Sequence, residues 1–170
     1  MSLNTRLDLT LSAVQAAALD LGAATFTPKI TKSLTLADGT GAGKANVMWT
    51  DKRQLAASGT ESLDLAATLA DPFGATVTFA RVKLLYVAAA DGNSNNVVIG
   101  GVASNGFTTM FGDATDKLVL RPGAFMLLAA GAADATGYAV TASTGDLLQV
   151  ANSGAGTVVN YTIAVIGVAS

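Results

Sequence analysis

Few side chains in this chain can do covalent or acid–base chemistry, and their spacing narrows the choice further. The sequence holds no histidine, no cysteine and a single glutamate, Glu61. Asp113 and Asp116 lie three apart, a spacing that would let two carboxylates share acid–base work or help hold calcium. Asp91 opens the polar run Asp91-Gly92-Asn93-Ser94-Asn95-Asn96, with one carboxylate and several amides. A calcium loop wants several carboxylates at close spacing, so this run reads first as a solvated turn and second as a weak calcium site. Serine and threonine hydroxyls are plentiful, but no imidazole exists to activate one. A Ser–Lys pair is the remaining nucleophilic option, and none of the six lysines stands in such a motif.

Gly39-Thr40-Gly41-Ala42-Gly43-Lys44 has the look of a phosphate loop. The Walker pattern needs glycine five residues before its Gly-Lys pair and Ser or Thr after it, where this chain has Asp38 and Ala45. The segment therefore reads as a flexible connection between strands. Trp49, Tyr86, Tyr138 and Tyr161 are the candidates for a sugar platform. Tyr86 and Tyr161 fall on alternating apolar strands, where packing is the commoner role. The expectation is no enzyme: no catalytic residue, no cofactor-binding residue, no metal ligand and no required cofactor.

The elements around these residues are strands. Even positions Phe26, Pro28, Ile30, Leu34 and Leu36 are apolar, with Lys32 the one intruder, which is the alternation of a half-buried strand. Pro28 places that strand at an edge or marks its beginning. Strands follow at Val47–Trp49 and Leu63–Leu65. After the Asp71-Pro72-Phe73-Gly74 turn comes the longest one, whose apolar phase changes near Ala80-Arg81 and so predicts a bulge or bend. Val97–Ile99 is a short buried strand. Leu118–Leu120 and Ala124–Ala130 flank a corner at Arg121-Pro122-Gly123. Tyr138–Thr141, Asp146–Val150 and Thr157–Ile166 complete about eight to ten strands. In the last one, Val159, Tyr161, Ile163 and Val165 share an apolar face, while the other face begins polar and ends apolar at Ala164 and Ile166. Val158–Val165 is thus expected to be an interior strand. Near the start, Leu7, Leu9 and Leu11 share a phase. Ser12–Leu21 fits a short helix capped by Ser12 or an extended arm, and the reading leans to the arm. Its alanine-rich core superficially resembles an export signal, but Gln15 and Asp20 interrupt it and Arg6 is its only basic start.

Spacing of this kind predicts an all-β fold, an antiparallel β-sandwich of jelly-roll type with an N-terminal extended arm. Residues 1–24 form the arm and residues 25–170 the single sandwich domain. Composition agrees: apolar residues make up 51% and charged residues 13%, with a net charge of −2. That little charge predicts a surface partly covered by other copies, a homo-oligomer with a trimer as the working number. No basic cluster suggests nucleic acid, and no apolar run has the ~18 residues of a membrane helix.

Thr35–Lys44 (TLADGTGAGK), Leu55–Leu65 (LAASGTESLDL), Phe73–Val87 (FGATVTFARVKLLYV), Asn95–Gly101 (NNVVIGG), Leu120–Ala130 (LRPGAFMLLAA) and Gly137–Asn152 (GYAVTASTGDLLQVAN) resemble small structural proteins of tailed bacteriophages. The resemblance runs from about Thr25 to the end and is one of phrase and texture, without a catalytic signature. It implies a jelly-roll virion protein, with capsid decoration (cement) as the favoured role. The implied partner is the major capsid protein, and the implied place is the phage head surface after synthesis in the host cytoplasm. A tail, baseplate or fibre component that binds a host glycan is the alternative it leaves.

Overall fold

A computed structural model describes residues 2–169 of the chain, and all its regular elements are strands. In chain order they are β1 (Thr5–Ser12), β2 (Gln15–Leu19), β3 (Gly22–Phe26), β4 (Lys29–Asp38), β5 (Lys44–Ala45), β6 (Val47–Leu55), β7 (Thr60–Asp64) and β8 (Leu69–Ala70). The second half supplies β9 (Thr76–Val77), β10 (Phe79–Ala89), β11 (Val97–Gly100), β12 (Lys117–Leu120), β13 (Phe125–Ala129), β14 (Tyr138–Ala139), β15 (Leu147–Asn152) and β16 (Val159–Ala169).

Two antiparallel sheets form the body. One has the order β13-β10-β16-β6, with β14 also on β10, and the other has the order β12-β11-β15-β7. Their inner faces supply one core, in which Trp49, Leu85, Val87, Ile163 and Val165 of the first sheet meet Leu63, Val97, Ile99, Leu148 and Val150 of the second. The body is therefore a β-sandwich, as the strand spacing predicts. Residues alternate inward and outward along each strand, so Val159, Tyr161, Ile163 and Val165 all lie inside. β16 has neighbours on both sides, β10 and β6, which makes it the interior strand expected from its sequence.

The phase change near Ala80-Arg81 has a structural cause. The β10–β16 register slips between Phe79 and Arg81 and again between Val82 and Leu84. The extra residues swing Leu84 and Tyr86 to the outer face while Leu85 and Val87 stay in the core. The Arg121-Pro122-Gly123 corner carries the chain from β12 in one sheet to β13 in the other. Gly123 has a φ of 74° there, which glycine adopts without strain.

A third layer covers the outer face of the first sheet. β1, β4 and β5 form a small sheet whose Leu34, Leu36 and Ala45 bury Leu84 and Ile166, with Leu7, Leu127 and Ala129 around them. This explains why the outward face of β16 starts polar and ends apolar. Asn160 and Thr162 lie beyond the cover and Ile166 lies beneath it.

Two readings left open near the N-terminus are resolved. The predicted strand from Phe26 to Leu36 is broken at Pro28. Phe26 ends β3, and β4 begins only at Lys29. A proline has no N–H for the ladder, which places it at the joint. The helical option for Ser12–Leu21 gives way to extended structure. That stretch contributes the end of β1, all of β2 and the turn into β3, which itself spans residues 22–26 and so crosses the boundary placed after residue 24.

Candidate functional site

The chemically suggestive residues of the sequence are separated by the fold and used locally. Asp113 and Asp116 close one exposed turn. The Asp113 N–H donates to Asp116 Oδ2 (2.8 Å), and Thr115 donates its N–H (2.9 Å) and its hydroxyl (2.8 Å) to Asp113 Oδ1. These donors hold the Asp113 carboxyl below the usual carboxylate range. Gly39–Lys44 joins β4 to β5, and the Lys44 side chain lies back over Gly39. Lys83 is buried, and its ammonium donates to the backbone carbonyl of Asp134 rather than to a serine. Burial lowers its pKa from the ordinary lysine value.

The Asn-rich loop works as a staple. Asn93 is buried; its Nδ2 donates to the Asn160 carbonyl (2.9 Å) and its Oδ1 accepts from the Asn160 N–H (2.8 Å). Asn95 Nδ2 reaches Asn152 Oδ1, the Gly154 carbonyl and the Thr157 carbonyl. Asn152 in turn donates to the carbonyls of Ala56 (2.9 Å) and Thr157 (2.8 Å). The amides thus satisfy the backbone of the β15–β16 turn. No group of three or more potential metal-ligating His, Cys, Asp or Glu is found among the described residues. Asn152→Ala is expected to cost about 1–2 kcal/mol, because it removes a buried amide's hydrogen bonds to the Ala56 and Thr157 carbonyls and from the Gly154 N–H. Urea unfolding checks this. A midpoint unchanged from that of the unsubstituted protein, at unchanged slope, would sink the staple.

The four aromatics do not form a platform. Trp49 and Tyr161 are buried between the sheets, Tyr138 packs beside that core, and Tyr86 stands on the outer face near Phe125 with ring centroids 6.2 Å apart. Tyr161 leads instead to a polar strut that sequence reasoning missed. Its hydroxyl donates to Glu61 Oε1 (2.6 Å), while Arg53 Nε (2.8 Å) and Nη2 (2.5 Å) donate to Glu61 Oε2. Arg53 Nη1 also holds Asp51 (2.8 Å). Burial, then the bond to Glu61, raises the Tyr161 pKa above the ordinary phenol range, and the bond to Glu61 raises that of Arg53. The strut ties the edge strand β6 to β7 across the sandwich. No local pattern in the sequence marks this strut, because Arg53, Glu61 and Tyr161 lie on three different strands.

The first four strands also form an exposed apolar surface. β1 pairs with β4 and β2 pairs with β3 in one continuous register. Ser12 faces Lys29, and Gln15 faces Phe26 beyond the joint. The Ala13 N–H donates to the Pro28 carbonyl across that joint (3.2 Å). The two pairs are therefore one long hairpin, an arm ending at Asp20 and Leu21. Period-two alternation sorts its side chains. Leu7, Leu9, Leu11, Gln15, Ala17 and Leu19 share a face with Leu34, Lys32, Ile30, Phe26, Ala24 and Gly22. Arg6, Asp8, Thr10 and Ser12 face the other way with Thr35, Ser33, Thr31 and Lys29. Arg6 and Asp8 pair with each other on that polar face.

At its base the apolar face is covered, with Leu36 1% and Leu34 7% exposed. Leu7, Leu9, Lys32 and Leu34 line a crevice of about 240 Å³ against Leu127 and Ala129. Further out the same face is bare, with Leu11 61%, Ile30 63% and Phe26 66% exposed. A two-stranded hairpin alone in water is marginal, and an exposed apolar ribbon invites a partner. The sequence signalled both strands of the arm by their shared phases. It did not signal that the body would leave their outer half uncovered. Comparison with family models, with curated proteins and with solved structures finds no match to this chain.

Proposed function

We propose that this chain is a virion structural protein of a tailed phage, a capsid decoration protein that binds the major capsid protein lattice and stabilises the head as a homo-oligomer, with a trimer as the working stoichiometry. The observation that carries the reading is the apolar arm projecting from a sandwich whose chemically capable side chains are spent on turns, staples and struts. Such a molecule offers contact area rather than a reaction. The strand order supports the jelly-roll type. Successive strands β6 and β7, β10 and β11, β12 and β13, and β15 and β16 lie in opposite sheets at matching positions, the pattern that two wound Greek keys produce. Bridging contacts repeated over a shell stabilise it by mass action.

Imaging the particle and counting copies tests this. A lattice of copies over the head is expected, and particles lacking the protein should release DNA at lower temperature and lower ionic strength than intact ones. A handful of copies at the tail would replace this reading with a tail or fibre role. Burial of Trp49 and Tyr161 removes two of the four aromatics a glycan platform would have used.

A further inference from the structure

We propose that the shallow groove above β6 and the start of β16 is a sugar site, which takes one pyranose residue of a glycan. It uses a different set of residues from the four aromatics singled out by the sequence, and it goes beyond the decoration role.

Four strands cross the outer face of the first sheet, and their register sets which side chains stand side by side. One row runs Phe125, Ala88, Thr162 and Lys52 across β13, β10, β16 and β6. Next to it, Asn160 pairs with Gln54, and the Ala90 N–H donates to the Asn160 carbonyl (3.0 Å). The leucines at the base of the arm pack over Leu84 and Ile166, farther along the same strands. Lys52, Gln54, Asn160, Thr162 and Ala90 are thus left around a depression of about 340 Å³. Its floor is Arg53 and Tyr161, whose side chains point the other way, to Glu61. A hollow of that size is at the small end of ligand clefts, ample for a sugar ring and far too small for a stable protein interface.

The walls fit a sugar by their chemistry. Each sugar hydroxyl both donates and accepts, and side-chain amides and hydroxyls offer both in return. Gln54 Nε2 donates to Asn160 Oδ1 (3.0 Å). That bond orients the two amides and leaves Asn160 Nδ2 as a donor and Gln54 Oε1 as an acceptor. Thr162 adds a hydroxyl. Ala88 and Ala90 are short, so a gap opens over β10 beside these polar groups. Phe125 bounds it on the far side, 61% exposed and two strand spacings, about 10 Å, from Thr162. One aromatic wall with a few placed polar groups suits a ring that has an apolar C–H face and a polar edge.

The polar wall is also held in place without a ligand. Asn93, itself buried, clamps the Asn160 backbone, with Nδ2 on its carbonyl (2.9 Å) and Oδ1 on its N–H (2.8 Å). Holding a binding group in position beforehand lowers the ordering cost of binding. A polyanion is a poorer match. Lys52 is the one cation turned to the groove, since Arg53 is committed to Asp51 and Glu61.

NMR of the backbone amides tests the site. Galactose, N-acetylglucosamine and glucuronic acid are each added to tens of millimolar, with sorbitol as an open-chain control. At least one pyranose should shift the amides of Lys52, Gln54, Asn160 and Thr162 in a saturable way, and sorbitol should not. Asn160→Ala and Phe125→Ala should each weaken that binding roughly 3–10-fold, and Thr115→Ala, in the exposed Asp113–Asp116 turn, should leave it unchanged. If Phe125→Ala fails to fold, Asn160→Ala and the shift map still decide. No shift from any of the three pyranoses, equal shifts from sorbitol, shifts centred elsewhere, or binding undiminished by Asn160→Ala would overturn the proposal. The isolated protein is used throughout, so failure here leaves the particle imaging to judge the decoration role separately.

Discussion

Gly167→Ala is expected to cost about 3 kcal/mol or more of folding stability, with a midpoint roughly 6–12 °C lower for a domain of this size. Gly167 lies in β16, opposite Val82 of β10 and Val47 of β6. The slipped register of β10 brings its backbone close at that point. A Cβ on Gly167 would sit 2.2 Å from the Arg81 carbonyl oxygen and 2.9 Å from the Phe79 ring. A carbonyl held in a central ladder cannot move aside as the end of a long side chain can. The methyl group must therefore separate β16 from β10 where the two sheets share their core. Gly131→Ala is the control, since nothing lies within 4 Å of its Cβ position, and it should be near neutral. The measurement is thermal and urea unfolding of both variants. A difference between them below about 1 kcal/mol would mean that the bulge relaxes freely and that the packing argument is wrong.

Glu61→Ala should cost about 3 kcal/mol, the second large effect. The substitution leaves the Tyr161 hydroxyl and one side of the Arg53 guanidinium without their acceptor, and hydrogen bonds to a charged group weigh more than neutral ones. Glu61→Gln keeps an oxygen for Tyr161 and loses the charge that holds Arg53, so it should fall between. Tyr161→Phe removes one bond and no charge, and about 1 kcal/mol is expected. Equal losses for Glu61→Ala and Tyr161→Phe would show that Arg53 contributes nothing. The sign with pH follows from the raised Tyr161 pKa. The unfolded phenol titrates near 10 and the folded one higher, so this contribution is complete below about pH 10 and is lost as the pH rises beyond it.

The placement of strands and turns was legible because it depends on short-range patterns. The apolar alternation of β16, the proline turn at Asp71–Gly74 and the corner at Arg121–Gly123 each encode geometry within a few residues. The change of phase at Ala80-Arg81 even located the bulge in β10. Alternation alone ran through Pro28 to Phe26, and the missing ladder N–H of Pro28 is what marks the beginning of β4 at Lys29.

Sites were less legible because a side chain's role depends on what lies opposite it. Asn93 and Asn95 are far apart in sequence from their partners, and nothing in the string Asp91–Asn96 says whether its amides point to solvent or to the backbone of β16. Glu61, Arg53 and Tyr161 likewise converge only after β6, β7 and β16 assemble.

By itself, the sequence determined a β-rich chain with little charge, no imidazole and no thiol, since strand periodicity and composition are local quantities. Only the tertiary structure decided that β1 and β4 roof one half of an outer sheet face and leave both the other half and the rest of their own apolar surface bare. That outcome depends on where a long hairpin leaves the body, a relation between distant segments that no local pattern encodes.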